Sequence, residues 1–270
     1  MLALRNIVKR FKGDADDTVL ALDNISLELE ASSFVVVIGT NGSGKSTLLN
    51  AIAGSVVIDG GTICLAGRDV TRWPEHRRAR FVGRVFQNPF SGTAPTLTVA
   101  ENLALASRRG QPRRLGWALG RHIRAEMRDR IAGLGMGLED RFETPIGLLS
   151  GGQRQAITLM MATLVRPDLL LLDEHTAALD PKSADQVLRL TQTIVERQQL
   201  TTLMVTHSMQ HAANVGDRII MMHQGRPVID CCGIAKQRIH ADELLRRFEE
   251  LRRRELLDES AAELLRAAYV

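Results

Sequence analysis

Residues 34–47 read FVVVIGTNGSGKST, an apolar run that leads directly into a glycine-rich loop. The run is apolar throughout and mostly β-branched, which is typical of a central strand buried on both faces of a parallel sheet. The loop matches G-x-x-x-x-G-K-[ST], and the KSTLLNAIAG segment from Lys45 onward is expected to be helical. This order of strand, loop and helix predicts a phosphate-binding site in an α/β fold rather than a merely glycine-rich turn.

The residue types in this loop suit a nucleotide phosphate. Glycines let backbone N–H groups approach phosphate oxygens closely, and the dipole of the following helix adds positive potential. Lys45 is expected to contact the β- and γ-phosphates of a nucleotide, and Ser46 offers a hydroxyl oxygen to Mg²⁺. The predicted nucleotide-binding residues of the loop are Gly39, Thr40, Asn41, Gly42, Ser43, Gly44, Lys45, Ser46 and Thr47.

A second apolar run ends in two carboxylates, in the sequence LLLLDEHTAALD at residues 169–180. The four leucines predict a buried strand, so Asp173 and Glu174 stand at its carboxyl end, where open α/β sheets bind ligands. Asp173 is the predicted Mg²⁺ ligand. Glu174 is the candidate general base for an attacking water. His175 comes next, and it is either a local variation of the loop or a residue that tunes the pKa of Glu174.

Residues 149–155, LSGGQRQ, form a second anion-binding loop that has no lysine. An apolar helical run follows, so Ser150 is expected to be the N-cap of a helix that begins with Gly151 and Gly152. Hydrolysis of a nucleoside triphosphate requires a γ-phosphate that is surrounded and shielded from water. A loop without a lysine can close over a phosphate that another loop already holds.

Together these motifs resemble the ATP-binding-cassette (ABC) ATPases, and LSGGQRQ is similar to the signature of that family almost letter for letter. The resemblance covers about residues 1–230 and includes six motifs in the family order. It implies a P-loop NTPase core with a mixed sheet, an antiparallel N-terminal subdomain and an inserted helical subdomain. It also implies a head-to-tail homodimer, in which Ser150, Gly151, Gly152 and Gln153 of one copy cover the ATP on the other.

The same resemblance implies roles for four further residues. Gln87 would reach Mg²⁺ and the attacking water, and Asp180 would belong to a loop that crosses the dimer interface. His207 would contact the γ-phosphate; the alternatives are an ordinary histidine at a strand end, or a metal pair with His211 that lacks a third ligand. Phe11 would stack on adenine, although the family usually has tyrosine there and a lone phenylalanine often belongs to a core.

The chain divides into an ATPase domain at residues 1–235 and a C-terminal helical extension at residues 236–270. The first 30 residues predict antiparallel strands around a polar turn, and residues of about 97–148 predict the helical subdomain. In the extension, Leu244, Phe248 and Leu251 recur at helical spacing, as do apolar residues at 261–268. Two short amphipathic helices are expected to pack on the core or on a second subunit.

Composition limits the class of protein. The chain has 270 residues, of which 44% are hydrophobic and 24% charged, and its apolar runs are too short to cross a bilayer. Neither a signal peptide nor metal-ligand spacing of its three cysteines is recognisable, which favours a cytosolic protein with reduced thiols. A net charge of +4 gives no indication of a nucleic-acid partner.

Basic residues cluster between positions 108 and 130, opposed by Glu126 and Asp129. They predict either a solvated helical face or contact with anionic headgroups of the cytoplasmic leaflet. The arginines concerned are Arg108, Arg109, Arg113, Arg114, Arg121, Arg124, Arg128 and Arg130.

The function expected from these features is that of an ATPase subunit, with ATP and Mg²⁺, that powers solute transport through a separate membrane permease. The resemblance of DEHTAALDP to a branch of bacterial importers favours uptake, with an extracytoplasmic solute-binding protein as a further partner. The protein would then lie at the cytoplasmic face of the membrane. Two alternatives are an ABC protein acting on DNA or ribosomes, and a dimerisation switch that signals to a membrane partner without transport.

Overall fold

The computed structural model describes residues 1–13, 18–111, 121–251 and 253. Near the N-terminus an antiparallel sheet of four strands has the order β2-β1-β4-β5, which confirms the predicted antiparallel strands. The turn expected between the first two strands lies mostly outside the described residues. The strands of this sheet are β1 (Leu2–Lys12), β2 (Thr18–Leu29), β4 (Gly60–Leu65) and β5 (Arg68–Asp69).

A second sheet has the order β10-β9-β3-β8-β7-β6 and is parallel except for its edge strand β10. Its central strand β3 lies between β9 and β8 and is buried along its whole length, as the sequence predicts. The strands are β3 (Phe34–Gly39), β6 (Val82–Val85), β7 (Leu169–Asp173), β8 (Thr202–Val205), β9 (Arg218–His223) and β10 (Arg226–Cys232).

The helices cover both faces of the parallel sheet. Along β3, Val35 and Val37 belong to a hydrophobic cluster that includes the antiparallel sheet, whereas Val36 and Ile38 belong to a cluster on the other face. This alternation is the expected result of a strand with two buried faces. The helices are α1 (Lys45–Ala53), α2 (Glu75–Arg78), α3 (Val99–Ser107), α4 (Arg121–Ala132), α5 (Gly151–Leu164), α6 (Pro181–Gln198), α7 (Met209–Asn214) and α8 (Gly233–Arg238).

The regular elements described between β6 and α5 are helices, namely α3, α4 and three short 3-10 turns, joined by irregular loops. Thr98 caps α3 through a capping box with Glu101, and an isolated bridge between Thr98 and Pro145 joins the two ends of the segment. Its side chains form a third hydrophobic cluster with α5. The inserted segment is therefore anchored on α5, the helix that begins at Gly151 within LSGGQRQ.

Several arginines of the basic cluster have partners within the chain. Arg124 pairs with Glu143 and Arg130 pairs with Glu126. The Arg109 guanidinium donates to the Ala162 and Val165 carbonyls at the end of α5, and burial lowers its pKa. Arg113, Arg114 and the Arg121 side chain lie outside the described part. Arg109 is thus an internal helix cap and does not belong to a lipid-facing surface.

The beginning of the C-terminal extension packs against the parallel sheet. Residues 241–251 are helical, Leu244 is fully buried, and Phe248 and Leu251 contact the cluster on the face opposite the antiparallel sheet. The first of the two expected helices therefore covers the core of its own chain. The second lies outside the described residues. Among the described helices, none combines the length and the apolar character needed to cross a membrane.

Candidate functional site

A cavity of about 480 Å³ opens at the carboxyl edge of the parallel sheet. The loop between β3 and α1 forms one wall, and single residues that follow β6, β7 and β8 form the other. Because carboxyl ends of neighbouring parallel strands meet at one edge, residues far apart in the chain lie together there. The cavity is lined by Ala21, Asn41, Gly42, Ser43, Gly44, Lys45, Ser46, Thr47, Gln87, Glu174 and His207.

Two of the lining residues follow strands of the sheet closely. β6 ends at Val85 and β8 at Val205, two residues before Gln87 and His207 respectively. Gln87 and His207 therefore stand in the bends that follow the strands. This release from the hydrogen-bonded ladder lets both side chains line the cavity.

Close packing of the loop explains two of its glycines. A Cβ on Gly44, where φ is +95°, would lie 2.3 Å from the Ala21 carbonyl oxygen. A Cβ on Gly39 would lie 2.2 Å from the carbonyl oxygen of Met222. Gly42 has open space around its Cβ position. The loop is thus pressed against β2 and β9 at both ends and open in the middle, which fits a phosphate group.

Lys45 lies across this loop and is 5% exposed. Its Nζ donates to the carbonyl oxygens of Gly39 at 2.9 Å and Thr40 at 2.8 Å. Burial lowers the pKa of Lys45, while the nearby charges of Glu174 and Asp173 oppose that shift. The Thr40 hydroxyl is buried and has no hydrogen-bond partner among the described residues. The loop therefore holds a buried cation and a buried hydroxyl beside the cavity.

Glu174 and His207 contact each other in the cavity through Oε1 and Nε2. The Glu174 carboxylate is 10% exposed, while the His207 side chain is 48% exposed. Glu174 adopts the left-handed region at φ +47°, and its N–H donates to the Val205 carbonyl at 3.0 Å. This anchored backbone fixes the carboxylate toward the cavity, where it can accept a proton from a water.

Asp173, the preceding residue, is not among the lining residues of the cavity. Its Oδ2 accepts a hydrogen bond from Arg84 Nη2 at 3.1 Å, and both side chains are mostly buried. Ser46, Gln87 and Asp173 supply hydroxyl, amide and carboxylate oxygens, the hard ligands that Mg²⁺ prefers alongside phosphate oxygens. The donor set therefore fits this ion.

His175 turns away from Glu174 and is fully buried toward α6. Its Nε2 lies 3.0 Å from Thr191 Oγ1, and the Thr191 hydroxyl donates to the Val187 carbonyl. Because that hydroxyl has one proton, His175 Nε2 must be the donor in their contact. Burial, with a smaller effect of His211, lowers the pKa of His175 to about 4. His175 is a neutral core residue at pH 7, so the idea that it tunes Glu174 has no support in this geometry.

The LSGGQRQ stretch, residues 149–155, is called the Ser150 loop below and lies apart from the cavity. Ser150 Oγ accepts the Gln153 N–H at 3.3 Å, and the Gln153 side chain accepts the Ser150 N–H, which forms a capping box at the start of α5. This confirms the predicted N-cap. Ser150 and Gly151 are exposed, and Gly152 packs closely against Ser183 on α6.

The residues just before α6 pack against the Ser150 loop. Asp180 caps α6 by accepting the Ser183 N–H at 3.1 Å, and these hydrogen bonds lower the Asp180 pKa. Leu179 packs against Gly151, since a Cβ added to Gly151 would lie 3.1 Å from Leu179 Cδ2. The structure thus brings Asp180 together with the Ser150 loop and not with the cavity.

No motif in the sequence assigns a role to Arg154, yet its side chain supports the Ser150 loop. It is 8% exposed and donates to the carbonyls of Ile146, Gly147 and Leu149 at 3.2, 3.0 and 2.8 Å. Its guanidinium carbon also lies 3.8 Å from the ring centroid of Phe90. An arginine in the first turn of a helix, where the dipole disfavours a cation, was the available signal.

Phe11 lies on β1 and is 41% exposed, with Lys9 Nζ 5.3 Å from its ring centroid. It is not among the lining residues of the cavity. Its stacking on adenine stays a prediction.

Comparison with known proteins agrees with these features. The family model described as ABC transporter matches residues 22–177. A tyrosine transport ATP-binding protein of Clostridioides difficile is 42% identical over 92% of this chain and 99% of its own length. The sulfate/thiosulfate import ATP-binding protein CysA of Nephroselmis olivacea is 37% identical over 83% of this chain, which spans 61% of that relative.

Among solved structures, the dimeric post-hydrolysis form of the ATP-binding cassette MJ0796, bound to ADP and Pi, superposes with a TM-score of 0.72. It is 27% identical and covers 86% of this chain and 98% of its own. Fold, motif order and relatives agree, and the chain therefore belongs to the ABC transporter family as an ATP-binding subunit with ATPase activity.

Proposed function

We propose that this ATPase powers the uptake of a small solute through a separate membrane permease, and that its working unit is a head-to-tail dimer. One observation carries the proposal: the cavity and the Ser150 loop lie on separate parts of one chain, and each is an incomplete phosphate site. Leu148, two residues before Ser150, is 72% exposed. A second copy that brings its Ser150 loop to the cavity would complete both sites and cover this apolar side chain.

The residues of the cavity divide the binding of ATP among them. Residues 39–47 hold the phosphates, with Lys45 on the β- and γ-phosphates, and Phe11 stacks on the adenine. Ser46, Gln87 and Asp173 would hold Mg²⁺, which supplies neutralisation of phosphate charge when it is bound. Ser150, Gly151, Gly152, Gln153 and Asp180 of the other copy then enclose the γ-phosphate. This division explains why only one of the two loops, residues 39–47, contains a lysine.

Glu174 acts as the general base in this proposal. It accepts a proton from the attacking water, while His207 contacts the γ-phosphate and holds the Glu174 carboxylate in place. Because both loops contact the γ-phosphate, bound ATP favours the closed dimer. Hydrolysis removes that contact, and the dimer opens.

The permease is proposed to dock at a groove between β6 and the helices α3 and α5. This groove has a volume of about 410 Å³ and includes Phe86, Leu105 and Met161 among its lining residues. Leu105 is 59% exposed, which leaves apolar surface for a short permease helix. The groove begins beside Gln87, so its occupant would be linked to the ATP site. The ATPase domain at residues 1–235 would thereby lie on the cytoplasmic face of the membrane.

The relatives suggest the first solute to test. The relative that matches almost the full length of both chains is named for tyrosine transport, and another is named for import. Tyrosine, delivered by an extracytoplasmic solute-binding protein, is therefore the first candidate. Uptake of labelled tyrosine should fall when the gene is deleted and return with the intact gene. Unchanged uptake of every solute tested would favour a signalling role without transport.

The decisive test of the mechanism is Glu174→Gln. A general base contributes about 10²- to 10⁴-fold, so this variant should lose at least about 100-fold in ATP hydrolysis and accumulate as a dimer with ATP. Light scattering after size-exclusion chromatography measures the dimer, and phosphate release measures hydrolysis. Glu143→Gln, at an exposed residue paired with Arg124, is the matched control and should behave as the parent. A Glu174→Gln protein that hydrolyses ATP at the parental rate would contradict the assignment.

A further inference from the structure

Arg84 connects two neighbouring strands next to the proposed metal site. β6 and β7 are parallel, with Arg84 opposite Leu171, and the Arg84 side chain reaches two residues further along β7 to Asp173. The two side chains are 13% and 16% exposed. An ion pair with this little exposure is screened weakly by solvent, so its geometry is held more firmly than that of a surface pair.

The contact uses one of the two carboxylate oxygens of Asp173. Arg84 Nη2 donates to Oδ2 at 3.1 Å, so this hydrogen bond leaves Oδ1 for another partner. A carboxylate that can rotate freely presents either oxygen in many directions. A carboxylate held through Oδ2 presents Oδ1 in a defined direction, which is how neighbouring side chains orient metal ligands in proteins.

The guanidinium is itself held in place. Its central carbon lies 4.5 Å from the ring centroid of Phe86, and the Phe86 carbonyl accepts a hydrogen bond from Gln155 on α5. Arg84 Nε is buried and has no hydrogen-bond partner among the described residues. The Phe86 ring and the Asp173 carboxylate thus hold the guanidinium from two sides, which keeps Nη2 beside Asp173.

We propose that Arg84 is a positioning residue for the Mg²⁺ site and orients the Asp173 carboxylate for the ion. This inference rests on the proposed function, because it takes Asp173 as the metal ligand. In this role Arg84 acts through Asp173 and is not itself a ligand of the ion or the nucleotide. Its removal should therefore weaken Mg²⁺ binding while leaving the affinity for metal-free nucleotide unchanged.

The chain provides a matched control at the other end of β7. Arg68 Nη1 contacts Asp168 Oδ2 at 3.3 Å, and these side chains are 49% and 41% exposed. This pair has the same chemistry but lies at the amino end of the strand, away from the cavity. Arg68→Met removes an arginine–aspartate contact without touching the proposed site.

The test is a Mg²⁺ titration of the full chain with a fluorescent ADP analogue, MANT-ADP, in metal-buffered solution. Loss of a residue that orients a metal ligand costs about 10- to 100-fold in metal affinity. Arg84→Met should raise the Mg²⁺ concentration at half-saturation by at least about tenfold, with metal-free MANT-ADP affinity within about twofold of the parent. Arg68→Met should leave both quantities unchanged.

Two results would overturn the inference: an unchanged half-saturation point in Arg84→Met, or a lower one, which would mean that Arg84 competes with the ion. If Arg84→Met does not fold, Arg84→Lys replaces it in the test, because lysine keeps the cation but loses the guanidinium geometry. A rise of about threefold in the Mg²⁺ concentration at half-saturation supports the role of Arg84, and no rise excludes it. Asp173→Asn separates this inference from the proposed function. If its Mg²⁺ dependence equals that of the parent, the assignment of Asp173 itself is wrong.

Discussion

Arg154→Met should destabilise the protein and loosen the Ser150 loop. The arginine donates to three carbonyls of the turn that precedes Ser150, and burial lowers its pKa. Methionine keeps much of the aliphatic volume and removes every donor. The change therefore isolates the hydrogen bonds and the contact with the Phe90 ring.

The expected loss of stability follows from these contacts. A hydrogen bond with a charged donor contributes about 1.5 kcal/mol or more, so three of them amount to about 4–5 kcal/mol. Methionine also removes the cost of burying a cation, and water can reach the freed carbonyls. Both effects offset part of this loss. We expect the free energy of unfolding to fall by about 2–4 kcal/mol.

Urea unfolding without nucleotide measures this difference. The control is Arg166→Met, because exposed Arg166 also donates to carbonyls, those of Gln198 and Gln199. That variant should lose less than about 1 kcal/mol. In a Glu174→Gln background, Arg154→Met should bind ATP as a monomer with parental affinity but dimerise more weakly. Equal losses in the two methionine variants, or unaltered dimerisation, would refute the reasoning.

Two further predictions concern His175 and the phosphate loop. The pKa of His175 is about 4 in the folded protein and about 6.5 in the unfolded chain. The contribution of neutral His175 to the free energy of unfolding is therefore complete above pH 6.5 and is lost as pH falls toward 4. Urea unfolding of the parent should show about 2 kcal/mol less stability at pH 5 than at pH 6.5. His175→Gln should lack this dependence on pH, and an equal dependence in both proteins would count against the assignment of a neutral buried His175. Gly44→Ala should abolish MANT-ADP binding and lower Tm, because its Cβ would overlap the Ala21 carbonyl. Gly42→Ala faces open space and should cost about 1 kcal/mol of backbone strain; equal effects of the two alanines would show that packing does not select Gly44.

The sequence was sufficient where the deciding interactions are local. Residues 34–47 predict a buried strand and its loop because apolar β-branched runs and glycine spacing act within a few residues. Ser150 is an N-cap because its partner, Gln153, is three residues away. The Phe248 and Leu251 contacts follow from helical spacing of the same kind. The order of the motifs then indicates the family.

Only the tertiary structure determined contacts between distant segments. Arg84 and Asp173 are 89 residues apart in sequence and meet because β6 pairs with β7, a choice that no local pattern encodes. His175 faces Thr191 rather than Glu174 because α6 covers that face of the sheet. Such pairings depend on which elements pack together, and this is set by the burial of the whole apolar surface rather than by the residues on either side.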